Sequence, residues 1–213
     1  MARKKYSELE LKAMSEASVN LKKTMRLRGI NQTYLAEKTN IPTSTISDYV
    51  NGKTLISMGN LEKISEALHV YKSQLIPSLG QGERYHKDIP LIKSIRSEDG
   101  LLAEDNIDEY IHFPFRDDIQ PDYAVRIADD TMSDFGINKG SVVFLRDAQW
   151  ADRNGQIVSV ISSDKKNGVL RKMNWEEGTP KIKLYSGRKS FEEKLPNQIK
   201  VVGIYMGHFS LGG

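Results

Sequence analysis

Residues 43–48 hold five short side chains that can hydrogen bond: Thr43, Ser44, Thr45, Ser47 and Asp48. Side chains of this length, carried near the start of a helix, can reach base edges in a DNA major groove. Asp48 differs from the hydroxyls, because a carboxylate can only accept there, from a cytosine amine, and is repelled by phosphate. Other chemistries have little to build on. With no cysteine in the chain, disulfides, thiolate nucleophiles and cysteine zinc sites are excluded. The histidines His69, His86, His112 and His208 show no metal-ligand spacing, and no phosphate loop or aromatic cage is present. Neither a metal nor a cofactor is expected.

The elements that must position those side chains are helical. Between Ser7 and Ile76 apolar residues recur at helical spacing. Leu9, Ala13, Ala17, Leu21 and Met25 form one stripe on a first helix that Gly29 ends. Asn31 then caps a second helix over 32–38. A third begins near Pro42 and ends at Asn51-Gly52, and a fourth covers 60–68 with Leu61, Ile64, Ala67 and Leu68 inward. Leu35 and Ala36 face the interior, the small Ala36 allows a close helix crossing, and Ile46 anchors the third helix to the same core. Tyr49 reads equally as core or surface.

Residues 78–88 combine glycine and charge without periodicity, as an exposed linker does. From Ile89 the pattern becomes short β-branched runs between turn residues, with strands expected at 123–127, 141–145, 156–161, 169–173, 182–185 and 201–205. The fold class is therefore multidomain, α followed by mainly β: residues 1–77, a linker at 78–88, and residues 89–213. Charge follows the same division. Residues 1–80 carry twelve Lys and Arg against seven Asp and Glu, whereas the remainder carries nineteen against twenty-one, so the positive excess that suits a polyanion is amino-terminal. The absence of an apolar signal core or a run long enough to span a bilayer points to a cytoplasmic protein.

From Asn31 to Lys53 the sequence resembles the helix-turn-helix of the lambda-repressor and Cro family, and the resemblance extends over about residues 9–77. It implies a five-helix domain that binds double-stranded operator DNA. In that family the Gln opening the second helix and the Asn-Gly after the recognition helix hold the phosphate backbone, which carries over to Gln32, Asn51 and, more loosely, Lys53. Phosphate contacts position such a domain, while third-helix side chains specify sequence. One recognition helix reads only a few base pairs, so a homodimer on two half-sites is expected, with assembly into a higher oligomer left open.

Residues 89–205 resemble the carboxy-terminal domain of LexA and phage CI repressors, a mostly β self-cleaving serine peptidase that also dimerises. The landmarks, in order, are Ile89-Pro90-Leu91, the run from Leu102 to Tyr110, Val125 to Met132, Ile137 to Val143, Asn154 to Val158, Leu170-Arg171-Lys172 and Val201 to Ile204. That family uses a serine in Gly-Asp-Ser-Met, activated by an unprotonated lysine on a later strand, to cut an Ala-Gly or Cys-Gly bond. Here the nucleophile position is Thr131, in Asp129-Asp130-Thr131-Met132, and threonine's extra methyl restricts its rotamer. The lysine position is Arg171, and a guanidinium does not act as a base. Lys172 is adjacent, but neighbours on a strand point to opposite faces. The scissile pair falls at Ser97-Glu98, with a charge where glycine is expected. Ser133 is a residual hydroxyl in a turn. A segment at 200–206 with its tail at 208–213 reads either as a dimer interface or as a closing core strand.

These residues lead to a phage-type or prophage-type repressor with a degenerate catalytic site. It would not cleave itself, and a partner such as an antirepressor or an external protease would relieve it. The competing reading is an active LexA-like autopeptidase repressor of the SOS response, using Thr131 with Lys172 or another base. A ligand-sensing second domain ranks last.

Overall fold

A computed structural model describes residues 6–79, 88–96, 100–113 and 120–210. Most of the 78–88 segment, and the Ser97-Glu98 pair, lie outside the described residues. The chain divides into two compact units, Met1–Tyr85 and His86–Gly213. No described helix is long and apolar enough to cross a membrane.

The first unit is five helices: α1 (Glu8–Arg28), α2 (Gln32–Thr39), α3 (Thr43–Val50), α4 (Met58–Ala67) and α5 (Lys72–Leu75). Ser7 starts α1 through a capping box with Glu10, and Gly29 ends it in the left-handed conformation at φ 66°. The α1 stripe holds from Ala13 to Met25, but Leu9 is 76% exposed, because the first turn of this long helix runs past the core. Helix α4 begins at Met58, two residues before the expected start, because Ser57 accepts the Asn60 amide and serves as its cap. Leu21, Leu35, Ile46, Leu61, Ile64 and Leu75 fill the centre of the bundle. Each such side chain contributes about 1.5–3 kcal/mol by leaving water.

The second unit is one nine-stranded sheet in the order β2-β1-β3-β4-β9-β5-β6-β7-β8. Its strands are β1 (Asp88–Ile92), β2 (Ile107–His112), β3 (Tyr123–Arg126), β4 (Val142–Arg146), β5 (Gln156–Ser162), β6 (Val169–Trp175), β7 (Ile182–Tyr185), β8 (Phe191–Lys194) and β9 (Ile199–Phe209). Among the described strands, only β1 and β3 run parallel. The amino-terminal half of β9 pairs with β5 and its carboxy-terminal half with β4, so this strand joins two half-sheets. Irregularities at Phe144/Leu145 and Ser159/Val160 mark the joint, where bulges bend a sheet. Each half-sheet has its own core, one around Ile89, Leu91 and Phe144, the other around Val158, Met173 and Val201.

Tyr123 ties the halves together. Its hydroxyl lies 2.9 Å from Ser159 Oγ and donates to the Val202 carbonyl at 3.0 Å. Burial pushes the phenol well above its ordinary range, so it stays a neutral donor. A Cβ on Gly203 would collide with the Tyr123 hydroxyl, which explains the glycine in the middle of β9. Of the two roles open to the carboxy-terminal strand, the core role is filled: Ile199, Val201, Val202 and Ile204 are buried.

Candidate functional site

Helix α3 is shaped by its ends and one apolar stripe. Ile46, Tyr49 and Val50 are buried at helical spacing. Pro42 precedes the first turn and provides no side-chain cap. At the other end the Lys53 amide donates to the Asp48 carbonyl at 2.8 Å and the Gly52 amide to Tyr49 at 3.0 Å, a Schellman closure that needs Gly52 at its φ of +64°. Two neighbours hold this end in place. Ser18 Oγ on α1 donates to the Val50 carbonyl at 2.7 Å, and Asn60 Nδ2 on α4 donates to the Tyr49 hydroxyl at 2.9 Å. Tyr49 is thus a core residue with a polar tether. Sequence reasoning missed both tethers, since nothing local marks Ser18 or Asn60 as partners of α3.

The expected DNA-facing residues fall into two groups. Thr43 and Ser44 are exposed and Thr45 is half-buried on the opening turn, and their hydroxyls make no hydrogen bond to other described side chains or backbone. Further along, groups pair with one another. Asn51 Nδ2 donates to the Ser47 carbonyl at 2.9 Å and to Ser47 Oγ at 3.3 Å. Lys53 Nζ lies 3.9 Å from Asp48 Oδ1, giving that carboxylate an intramolecular counter-charge. Gln32 opens α2 directly after its Asn31 cap, which accepts the Tyr34 amide at 2.9 Å.

In the second unit Thr131 follows β3 on an exposed turn, and its hydroxyl is already engaged. Thr131 Oγ1 donates to Asp129 Oδ1 at 2.6 Å, and the Thr131 amide donates to the same oxygen at 3.0 Å. The hydroxyl first, then the amide, hold the Asp129 carboxyl below the usual aspartate range, and the charge of Arg171 adds to this. Arg171 donates to the Leu170 carbonyl at 2.7 Å and lies 4.0 Å from Glu192. Lys172 stacks its ammonium 5.6 Å from the centre of the Phe135 ring. Ser133 is exposed and begins the short 3-10 turn Ser133–Phe135.

Thr131 and Asp129 line a groove of about 280 Å³ whose other walls include Ile95, Met132, Gly168 and Leu170. The chain leading to the Ser97-Glu98 position is docked along it. The Gly168 amide donates to the Ile95 carbonyl at 2.6 Å. A Cβ on Gly168 would stand 2.5 Å from Ile95 Cγ2 and 2.9 Å from Ile161 Cγ1, so the approach requires glycine. Beyond Ile95, Arg96 reaches to Gly100 and Asp105: Nε and Nη2 donate to the Gly100 carbonyl at 3.2 and 3.1 Å, and Nη1 and Nη2 donate to Asp105 at 2.9 and 2.6 Å. Sequence reasoning missed Arg96 and the grip of Asp129 on Thr131. The second had a signal, because Asp two residues before Thr is a turn-forming pair.

The helix-turn-helix family model matches residues 21–75, the span from the middle of α1 through α5. Among curated proteins the chain is similar to a LexA repressor of Leptospira interrogans, 35% identical over 81 residues, which is 36% of this chain and 38% of that protein. It is also similar to a LexA repressor of Lactobacillus gasseri, 33% identical over 89 residues, 40% of this chain and 42% of that one. The aligned parts thus span well under half of these relatives' lengths. Among solved structures, an HTH_3 family transcriptional regulator from Vibrio cholerae aligns over 92% of this chain and 91% of its own, at 15% identity and a TM-score of 0.31.

Proposed function

We propose that the chain is a cytoplasmic, homodimeric transcriptional repressor of phage or prophage type. Its α3 reads double-stranded operator DNA, its sheet unit is a dimerisation module that does not cleave itself, and a partner such as an antirepressor or an external protease relieves repression. The observation that carries the DNA-binding part is the opening turn of α3: the hydroxyls of Thr43, Ser44 and Thr45 make no hydrogen bond among the described residues, on a helix fixed from behind by Ser18 and Asn60. A rigid element with free donors and acceptors is what base reading requires. Gln32, Asn51 and Lys53 flank that turn as phosphate contacts, with Ser47 and Asp48 on the same helix.

The absence of self-cleavage is supported by how the groups around Thr131 are used. A serine-type peptidase needs a hydroxyl whose proton passes to a nearby base as the oxygen attacks the carbonyl. Here the hydroxyl donates to an ionised carboxylate, and the position expected to hold a lysine is an arginine. The test combines two measurements on the full chain. Affinity for operator DNA should fall by orders of magnitude between about 50 and 200 mM salt, as displaced counterions require. Intact mass should be unchanged after incubation at pH 7 and pH 10 and with activated RecA filaments, beside a LexA control that splits. Binding without salt dependence would defeat the DNA-binding reading, and fragments breaking within residues 95–100 would establish the autopeptidase instead.

A further inference from the structure

An aspartate two residues before a threonine commonly closes a turn, and Asp129 does so with the Thr131 amide. Three features go beyond a turn. The same carboxylate oxygen also takes the hydroxyl, at 2.6 Å. The pair lines the groove against which Ile95 is docked. Arg171, on β6, is close enough for its charge to act on the carboxylate. We propose that Asp129 is the positioning residue that silences this groove, by holding Thr131 Oγ1 as a hydrogen-bond donor beside a fixed negative charge.

The chemistry follows from where the hydroxyl proton would have to go. Attack on a carbonyl forms a C–O bond while the hydroxyl proton leaves for a base. Asp129 is the group in contact, and its carboxylate, already stabilised by two hydrogen bonds, is a weaker base than an ordinary one. Any negative charge growing on Oγ1 would also face the charge of Asp129 at hydrogen-bond distance. Thr131 is therefore held, and no bond is made or broken at this site. The inference rests on the non-cleaving reading and names the residue responsible. It implies that changing Thr131 and Arg171 to the serine and lysine of a working pair would leave the groove silent while Asp129 remains.

The chain has no cysteine, so Thr131→Cys introduces a single thiol whose reactivity reports on this position. Other charges nearby are the same with and without Asp129. Asp130 accepts the Lys139 amide and Asp134 the Arg188 amide; Lys93 and Arg126 line the groove; Arg171 faces Glu192, and Lys172 covers Phe135. The rate of alkylation by iodoacetamide is measured against pH in the full-length Thr131→Cys chain and in the same chain carrying Asp129→Asn or Asp129→Ala. The expected midpoint lies above the ~8.5 of a free thiol and falls by about one pH unit when Asp129 is replaced. A second measurement needs no thiol: the Asp129 carboxyl, followed by carbon NMR, should titrate at higher pH in Thr131→Val than in the unsubstituted chain. Coincident midpoints in folded variants, or an Asp129 titration unmoved by Thr131→Val, would overturn the inference. Fragments in the intact-mass experiment would instead overturn the reading on which it rests, so the two failures are distinguishable.

Discussion

The opening turn of α3 and the turn carrying Thr131 both present hydroxyls at the surface, yet they use them in opposite ways. The side chains of Thr43, Ser44 and Thr45 make no hydrogen bond among the described residues. Thr131 has given its hydroxyl to Asp129, Arg171 donates to its own strand, and Lys172 lies over a ring. A group that is uncommitted on a rigid frame meets a ligand at no internal cost, whereas a pair such as Ser47-Asn51 or Asp48-Lys53 must first give up its internal bond. A turn whose groups are committed to each other contributes local structure instead. Exposure alone does not separate the two regions; the hydrogen-bond partners do.

The largest loss should come from the frame behind α3. Leu35 is fully buried where α2 meets the rest of the bundle. Leu35→Ala should cost about 2–5 kcal/mol, and DNA binding should be lost with the fold of the helical unit. A thermal melt followed by circular dichroism should show the helical signal lost early while the sheet unit melts at its original temperature. A single shared transition, moved as a whole, would show that the two units do not unfold independently.

The α3 hydroxyls can be removed without touching the frame. Each of Thr43→Ala, Ser44→Ala and Thr45→Ala should leave the melting temperature within about a degree, since uncommitted surface groups contribute little to stability. Where the lost side chain contacts a base, operator affinity should fall by about 1–3 kcal/mol and sequence preference should relax at that base. Gln32→Ala and Lys53→Ala should weaken all DNA sequences alike and, for Lys53, flatten the salt dependence. Selection from randomised duplexes followed by competition binding separates the two patterns. If all five variants bound the operator unchanged, α3 would not be the reading element.

Gly168 tests the other side. Adding a methyl there must displace Ile95, whose Cγ2 would be only 2.5 Å away. Gly168→Ala should therefore destabilise the sheet unit by about 1–3 kcal/mol, as overpacking does. It should also speed cutting within residues 93–100 by an added protease such as trypsin. Operator affinity of the isolated half-site interaction should not change. Unchanged proteolysis would mean that the close approach of Ile95 to Gly168 does not restrain the neighbouring chain.

Much of the helical unit was legible because its signals are local. The Asn31 cap, the Gly29 and Gly52 stops and the stripe from Ala13 to Met25 each act within a few residues, whereas the Ser57 cap that starts α4 at Met58 was missed. Leu9 misled because periodicity cannot tell how far a helix runs beyond its core. The strands β3 to β7 were legible from their β-branched runs, but the interior strand β1, interrupted by Pro90, was not among those expected. The edge strands were not: β8 is Phe-Glu-Glu-Lys with an alternating half-buried pattern, and β2 exposes Asp108, Glu109 and Tyr110. Charged side chains suit an edge strand because they discourage pairing with another chain, and the same charges hide it from an apolar pattern. Strand β9 extends past 201–205 on both sides because its pairing with β5 begins at Ile199 and its pairing with β4 continues through Gly207 to Phe209. In the candidate site, the residue types of α3 could be read. The ties of Ser47 to Asn51, of Asp48 to Lys53 and of Arg96 across its turn depend on side-chain placement, which sequence spacing does not determine.

The smallest expected effect concerns Arg96 and Asp105, and its direction with pH follows from the pairing. The Arg96 hydrogen bonds hold the Asp105 carboxyl below its usual range. A carboxylate with a depressed folded-state value contributes its stabilisation above the unfolded value of about 3.9, and that contribution disappears as pH falls through the lower folded value. Protection of the Ala103 amide, which donates to the Gly100 carbonyl at 3.0 Å, should thus be constant from neutral pH down to about 4.5 and weaken below about 3.9. Asp105→Asn should remove most of that pH dependence, while the Arg96 bonds to the Gly100 carbonyl keep part of the protection at every pH. Because Asp105 is largely exposed, the change should be modest and should shrink further in high salt. If protection followed the same acid profile in Asp105→Asn, the turn would be held by its backbone and by the buried Asn106, whose Nδ2 donates to Ser94 and Leu101 at 2.9 and 2.7 Å, and Arg96 would be only an accessory to it.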